Sequence, residues 1–165
     1  MKIGILDSYM IKALTEEASR IAEKAKQNAS WSSKIPNAIS VGQAEKTATG
    51  YQVEIEIDSR EDGPAPHAAA FEYGSGLYGE EKDTYLIEAK NAPKLAIPRS
   101  RWPKYEPPPD TDPVILQWVY HPGVKARPYM KPAIESEKKK VIRGIGRAFR
   151  NAYRDSTVKV TVISA

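Results

Sequence analysis

The spacing of apolar residues predicts one long helix near each end of the chain. Over residues 8–29 the apolar positions recur every three or four residues, which places them on one face of an amphipathic helix. A second run with this period predicts a helix over residues 130–154, about 37 Å long at 1.5 Å per residue. The predicted buried stripe of this second helix consists of Ala133, Ile134, Val141, Ile142, Ile145, Ala148, Phe149 and Ala152.

Alternating apolar and polar residues predict strands between and after these helices. Residues 38–42 and 51–58 are typical of two strands, and Gly50 marks a turn between them, so we expect an antiparallel hairpin. In the second strand the side chains facing away from the core are largely acidic. Residues 157–163 alternate valines with Thr and Lys, and they predict a final strand that closes the sheet.

The middle of the chain is less regular. Residues 66–73 predict a short helix that ends at Gly74, and 94–97 is the one strand candidate in the segment that follows. Residues 75–113 are rich in Gly, Pro and charge and include the prolines 107–109, which predicts an extended loop or arm. It is either a mobile loop with two anchoring aromatics or a subunit-binding arm; its Arg, Trp and Tyr residues favour the arm.

These elements define an expected fold class. We expect an α+β fold: a mostly antiparallel sheet of about four to five strands, with the N-terminal and C-terminal helices packed on one face, plus the long Pro-rich loop. The 165 residues fit a single domain over 1–165, with 75–113 as its extended loop or arm.

The residue types present argue against an enzyme. There is no cysteine, which excludes disulfides and cysteine-based zinc sites. The two histidines are far apart, and His67 with Glu72, the nearest candidate pair, is poorly spaced for one helix face. We therefore expect no catalytic residue, metal or cofactor. No apolar run is long enough for a signal peptide or a membrane span, so we expect a soluble protein made in the cytosol.

Basic side chains line up along the C-terminal helix, and the whole chain has a net charge of +4. The ridge has three interpretations: a hydrated helix face, a phosphate-binding surface for nucleic acid, or a docking surface for an acidic protein face such as that of a neighbouring copy. Its members, separated by three or four residues, are Lys139, Arg143, Arg147, Arg150 and Arg154.

Two short stretches carry a resemblance to a known family. One contains His121, Pro122, Gly123, Ala126, Pro128, Tyr129, Met130, Pro132 and Ala133, and it runs from a turn into the last helix. The other, residues 69–76, reads AAFEYGSG. In this order, after an alanine-rich first helix and a strand, they are similar to the neck, or tail-completion, proteins of long-tailed bacteriophages and prophages.

The resemblance implies a structural function. It implies a homo-oligomeric ring, expected to be a hexamer, that joins the head connector or head-closure protein to the tail terminator or tail tube protein. Genomic DNA would pass through without sequence-specific binding, no membrane would take part, and the protein would reside in the virion neck after assembly in the host cytoplasm. Since conduits of this kind tend to be acidic so that DNA slides, we expect the basic ridge to face another subunit.

Several residues are expected at subunit interfaces, because Arg, Trp and Tyr dominate such contacts. They are Phe71, Tyr73, Tyr78, Arg99, Arg101, Trp102, Tyr105, Trp118, His121, Arg127 and Tyr129. The alternatives within the same particle are a tail terminator and a head-closure protein. The alternative from another class is a basic nucleic-acid-binding module that uses the C-terminal helix.

Overall fold

The computed structural model describes residues 3–90, 92–102 and 110–156. The chain divides into two compact units. The first comprises the chain up to Glu72 together with the chain from Pro128 onward, and the second is Tyr73–Arg127. The fold is α+β, with an N-terminal helix, a C-terminal helix and small antiparallel sheets, as the sequence predicts.

Four helices lie wholly or mainly in the first unit. They are α1 (Ile3–Asn28), α2 (Ile35–Ala38), α3 (Ala68–Tyr73) and α4 (Met130–Asp155). Both predicted long helices are present: α4 agrees to within one residue at each end, whereas α1 begins five residues earlier than predicted. The short helix ending at Gly74 is confirmed by α3. The helices α1 and α4 pack against each other, and α1 also contacts the hairpin strands.

The predicted hairpin is present, in two sections. Strand β1 (Ile39–Val41) pairs with β4 (Ile55–Ile57), and nearer the turn β2 (Glu45–Lys46) pairs with β3 (Tyr51–Gln52), both antiparallel. The turn is closed by Thr47 N–H donating to the carbonyl of Gly50 at 2.8 Å. Alternation places the isoleucines of β4 against the core and its glutamate outside, as expected.

The core of the first unit is built largely from alanine. Seven of its ten buried core residues are alanines, so the elements that meet there can approach closely. The larger buried members are Ile35, Ile39 and Tyr129, with Trp31 and Phe71 packed against them, edge to face at 5.0 Å. A narrow core of this kind leaves much of each long helix at the surface.

The predicted buried stripe of α4 is wrong at three positions. Ile134, Ile142 and Phe149 are exposed. Ala133, Ala148 and Ala152 are buried as predicted, but the buried face also includes Glu137 and the half-buried Gly144. The helix is therefore turned so that its smallest side chains, rather than its largest, face the first helix.

The second unit contains two further two-stranded sheets. Strand β5 (Tyr85–Glu88) pairs with β8 (Trp118–His121), and β6 (Leu95–Ile97) pairs with β7 (Val114–Leu116), both antiparallel. The strand expected over 94–97 is confirmed by β6, whereas β5 lies in the stretch expected to be loop.

Among the described residues, the strands form four two-stranded sheets rather than one sheet of four to five strands. Two of these sheets divide the predicted hairpin between them, because the ladder is interrupted between β1 and β2 and between β3 and β4. The final strand expected over 157–163 and the prolines 107–109 lie outside the described residues.

Candidate interaction surfaces

Glu72 supplies the N-terminal cap of α4 from a distant part of the chain. Its buried Oε2 accepts the N–H groups of Tyr129 at 2.7 Å and Met130 at 2.9 Å, while Oε1 accepts that of Lys131 at 2.9 Å. The next residue, Pro132, has no N–H to satisfy. A helix start leaves its N–H groups without intrahelical acceptors and carries partial positive charge, so one carboxylate completes the first turn of α4.

Tyr129 is held by its neighbours on several sides. Its hydroxyl donates to the carbonyl of Ala68 at 3.2 Å, and its own carbonyl accepts from Asn28 Nδ2 at 3.0 Å. Its side chain is 0% exposed. The expectation that Tyr129 lies at a subunit interface is therefore corrected, because its ring is part of the core of its own chain. Phe71, also expected at an interface, is half-buried and packs against the same core.

The same two stretches of sequence also meet within the second unit. Ser75 N–H donates to the carbonyl of Val124 at 2.9 Å, and Val124 N–H donates back to Ser75 Oγ at 3.0 Å. Leu77 N–H donates to the carbonyl of Pro122 at 2.8 Å. Gly123 has φ +91°, and a Cβ there would overlap the carbonyl oxygen of Ser75, so only glycine fits.

His121 is used locally, as a turn residue. Its Nδ1 accepts the N–H of Gly123 at 2.9 Å, and its ring lies 5.1 Å from that of Tyr85 on the paired strand. Among the described residues, no group of three or more His, Asp or Glu side chains is placed to hold a metal ion.

An open groove of about 580 Å³ in the second unit is lined by aromatic and aliphatic side chains together with Lys94 and Gln117; we call it the aromatic groove. Trp118 and Tyr120 pack edge to face at 5.4 Å and are 52% and 58% exposed. Trp102 is half-buried at the groove, and its Nε1 is buried without a hydrogen-bond acceptor among the described residues. The other main lining residues are Ile115, Leu116 and Lys94.

The remaining residues expected at interfaces lie in several surroundings. Tyr73 is exposed, and Tyr78 is about half-exposed with Lys125 Nζ 5.3 Å from its ring centre. Arg99 and Arg101 are exposed on a short 3-10 helix, where the backbone N–H of Arg99 donates to Asp112 Oδ1 at 3.1 Å. Two further expected residues are Arg127, which is exposed, and Tyr105, which lies outside the described residues.

The basic ridge is exposed on α4, and two of its members border a groove of about 430 Å³ between α1 and α4. Arg143 and Arg147 share this basic groove with Lys12, Arg20 and Lys140. The acidic residues along it are Glu16 and Glu17, and Glu17 is paired with Arg20 at 2.5 Å. The last ridge residue, Arg154, is paired with Asp155 at 3.3 Å. Positive charge therefore exceeds negative charge along the groove.

An exposed apolar surface on α4 was missed by the sequence reasoning. Ile142, Phe149 and Tyr153 are 63%, 53% and 68% exposed, and their spacing of seven and four places them on one side of the helix. We call them the apolar face of α4. The periodicity did reveal an apolar face, but not which apolar residues the first helix would cover.

Three carboxylates have pKa values lowered by a hydrogen-bond donor. Tyr51 donates to Asp7 Oδ1 at 2.5 Å, which lowers the pKa of Asp7 and raises that of Tyr51; Lys46, 3.1 Å from Asp7, adds to the effect. Tyr9 and Asp155 form a similar pair between α1 and α4, with the same directions. The third case is Asp58, whose pKa is lowered by a two-pronged contact with Arg60 at 2.8–2.9 Å.

Two of these three contacts, Tyr51–Asp7 and Tyr9–Asp155, join different structural elements. The first pair joins α1 to the hairpin, and the second joins α1 to the end of α4.

None of the described helices is long and apolar enough to cross a membrane. A scan against protein-family models and searches of curated proteins and of solved structures found no match for this chain.

Proposed function

We propose that this chain is a structural subunit of a tailed-phage neck, in which copies form a closed ring that joins the head connector to the tail and lets DNA pass. The proposal starts from the two stretches that resemble the neck proteins, residues 69–76 and 121–133. They occur in the expected order after an alanine-rich helix. The role is assembly rather than turnover, with residence in the virion and assembly in the host cytoplasm.

The observation that carries the proposal is the set of contacts between these two stretches. Glu72 of the first stretch binds the N–H groups at the start of α4 in the second, and Ser75 of the first pairs with Val124 within the second. The residues that carry the resemblance thus hold one another in place. The two stretches therefore act as one structural feature of this chain, which supports the proposal more than two unconnected short patterns would.

Surplus apolar surface supports assembly with other chains. The aromatic groove and the apolar face of α4 expose more large apolar side chains than a small isolated domain needs. A head-to-tail contact between such surfaces closes into a ring when the rotation per subunit permits it. In the proposed ring, open edges of the two-stranded sheets pair between copies, which adds strands to each sheet.

The experiment that tests the proposal is imaging of the purified chain, alone and with tail tubes of its cognate particle. Rings of uniform diameter seated on one end of the tubes are expected. Rings that bind heads but never tubes would instead identify a head-closure protein, and rings that stop tube growth at a set length would identify a tail terminator. A monomer with no affinity for heads or tubes would contradict the proposal.

The basic groove favours a second candidate, a nucleic-acid-binding module that acts through α4. Cations outnumber acids along it, and phosphate contacts would make binding strongly dependent on salt. A gel shift at low salt and at about 150 mM salt separates the two functions, since saturable binding that survives the higher salt favours the nucleic-acid binder. Lys138→Ser, exposed on the same helix but outside the groove, is the matched control for Arg143→Ser.

A further inference from the structure

The outer side of the hairpin formed by β1–β4 carries three exposed carboxylates. Half-buried and exposed side chains alternate along residues 51–57, which turns Ile55 and Ile57 toward the core and the glutamates outward. The paired strand β2 adds one more glutamate, directly opposite Gln52. We call these three carboxylates the acidic face; they are Glu45, Glu54 and Glu56.

The one cation of the hairpin is already in use. Lys46 is the single lysine or arginine of residues 39–58, and it is paired with Asp7 of α1 at 3.1 Å. Among the described residues, the side chains of Glu54 and Glu56 have no ion pair and no hydrogen-bond donor. Like charges side by side on one face of a sheet repel each other, so a cationic partner would stabilise this surface.

The basic groove carries the complementary charge. Arg143, Arg147 and Lys12 are exposed along it and pair with no carboxylate in the part of the chain that the structure describes. The other two cations of the groove each pair with a glutamate of their own helix. Guanidinium groups bind carboxylates through two parallel hydrogen bonds. The groove therefore presents three cations, two of them arginines, to an acidic occupant.

The spacing of the charges on the two surfaces also agrees. Arg143 and Arg147 are four residues apart, which is about 6 Å along a helix at 1.5 Å per residue. Glu54 and Glu56 are two residues apart, which is about 6.6 Å along a strand at 3.3 Å per residue. A strand that lies along α4 therefore brings both carboxylates to both guanidinium groups at once.

The groove and the acidic face point in different directions on one chain. Glu16 and Arg20 border the groove, whereas Ala25 and Ala29 of the same helix are buried in the core that α1 shares with the hairpin. Each alanine follows its counterpart by nine residues, about two and a half turns, and so lies on the opposite side of the helix. The acidic face is turned away from this core. One chain therefore does not place its acidic face in its own groove.

An acid within the groove favours a protein occupant over a nucleic acid. Glu16 is exposed there and has no cation partner among the described residues. It would repel a continuous phosphate backbone, which carries a charge at every step. The hairpin instead places neutral side chains beside its glutamates, since Ser40 lies opposite Glu56 and Gln52 lies opposite Glu45.

We infer that the acidic face of one copy docks in the basic groove of the next copy, where its strand glutamates pair with Arg143 and Arg147. The contact is heterologous, because each copy offers its acidic face to one neighbour and its groove to another, and it closes into a ring when the rotation per subunit permits. It rests on the proposed function in taking the chain to form rings, and it names the two surfaces that meet. Its test needs no phage component, so a chain that assembles through this contact and ignores tail tubes would contradict the neck role alone.

Charge reversal on each surface tests the inference. The groove variant carries Arg143→Glu with Arg147→Glu, and the face variant carries Glu54→Arg with Glu56→Arg; all four positions are exposed. In sedimentation velocity at about 50 mM salt, the wild-type chain is expected to associate, and each variant alone to associate at least about 10-fold more weakly. An equal mixture should regain association, because every contact between the two variants again joins opposite charges. One chain with all four reversals should associate as well, since its groove and face have exchanged signs.

A pair of substitutions in the second unit is the matched control. Glu80→Arg with Glu81→Arg makes the same change in net charge at exposed positions and should leave association unchanged. Circular dichroism shows whether each variant is folded. Should a reversed face not fold, Glu54→Gln with Glu56→Gln removes the charge without reversing it and should weaken association by about 3–10-fold.

Several results would overturn the inference. They include a wild-type chain that stays monomeric, folded variants that associate as the wild-type chain does, and a mixture that associates no better than its components. Loss of association in the control but not in the face variant would assign the acidic partner to the second unit instead. A monomeric wild-type chain that binds a short DNA duplex, with binding abolished in the groove variant, would overturn the inference in favour of nucleic acid.

Discussion

The carboxylate of Glu72 lies 2.7 Å from the backbone nitrogen of Tyr129, 57 residues later in the chain, and it caps the helix that begins there. The N-cap residue of α4 has no side-chain cap of its own. The start of the helix that carries the basic ridge therefore depends on a buried acid from another element. This makes Glu72 a structural residue, although its type and burial could also suggest a catalytic acid.

Replacement of Glu72 should destabilise the protein. Glu72→Ala leaves three backbone donors without their acceptor, and we expect the free energy of unfolding to fall by about 3 kcal/mol, with Glu72→Gln intermediate. Urea unfolding followed by circular dichroism measures the change. Glu135→Ala, at an exposed position on α4, the helix that Glu72 caps, is the control and should change stability by less than about 0.5 kcal/mol. Equal stability of Glu72→Ala and this control would show that the cap is not needed.

Two glycines of α4 offer a matched pair of substitutions. A Cβ on Gly146 has only Arg150 Nη1 nearby, at 3.7 Å, so Gly146→Ala should stabilise the protein by up to about 1 kcal/mol through helix propensity. A Cβ on Gly144 would overlap Glu17 Oε1 and lie 2.8 Å from the Glu17 Cδ. Gly144→Ala should therefore be less stable than Gly146→Ala by about 1 kcal/mol or more.

Removal of Glu17 tests whether this overlap is the cause. In a Glu17→Ala background, Gly144→Ala should gain about as much stability as Gly146→Ala does, because no side chain remains to be displaced. The comparison is made by thermal unfolding of Gly144→Ala, Gly146→Ala, Glu17→Ala and the double variant with Glu17→Ala and Gly144→Ala. If Gly144→Ala is stabilising with Glu17 in place, then α1 and α4 do not approach as closely as described.

The Asp7–Tyr51 hydrogen bond should stabilise the fold over a defined pH range. The pKa of Asp7 is lowered in the folded state, so its contribution is complete above its unfolded value of about 3.9 and is lost as the pH falls through the lowered value. The pKa of Tyr51 is raised, so its contribution is complete below about 10 and is lost as the pH rises through the raised value.

Tyr51→Phe removes this contribution and leaves the ring in place. The difference in urea midpoint between the wild-type chain and Tyr51→Phe should be constant between about pH 4 and pH 10 and should shrink on either side. Tyr73→Phe, at a tyrosine that is 78% exposed, is the control and should show no such profile. A difference that persists unchanged at pH 2 would contradict the assignment.

The apolar face of α4 should matter for association and not for folding. Because Ile142 and Phe149 are more than half exposed, Ile142→Ser and Phe149→Ser should change the free energy of unfolding of the monomer by less than about 1 kcal/mol. Both should weaken self-association at matched concentration in sedimentation velocity. Lys138→Ser, on the same helix, should leave association unchanged. Loss of monomer stability in either variant, with association intact, would identify this face as part of the core.

The sequence pattern predicted the long helices well because each carries several turns of regular apolar spacing. It was less successful at assigning the buried side of α4. Ile134, Ile142 and Phe149 have the right period, but the alanines of α1 and the Glu17 carboxylate require small residues opposite them, and Gly144 rather than an isoleucine meets that need. Periodicity identifies a face; the partner decides which residues on it are covered.

Strand β5 was missed for a different reason. Its four residues, YLIE, are too few for alternation to be visible, and acidic residues and lysines surround them. The pairing of Tyr85 with His121 and of Ile87 with Val119 makes it a strand, and such pairing over more than thirty residues is not visible in local sequence. The Glu72 cap was likewise hidden, since nothing near it in sequence indicates a helix start.

The residues expected at interfaces were selected by side-chain type. Side-chain type does not distinguish an exposed aromatic residue from a buried one. Trp118 and Tyr73 are at the surface, whereas Tyr129 of similar type is enclosed by α3 and the start of α4. An aromatic residue beside a proline turn is compatible with either position.

The most direct test of the proposed role is negative-stain imaging, with particle mass, of the wild-type chain mixed with the tail tubes of its cognate particle. The account predicts closed rings of a single stoichiometry at one end of each tube, with a central opening wide enough for duplex DNA. Bare tubes beside a monomeric chain would contradict it.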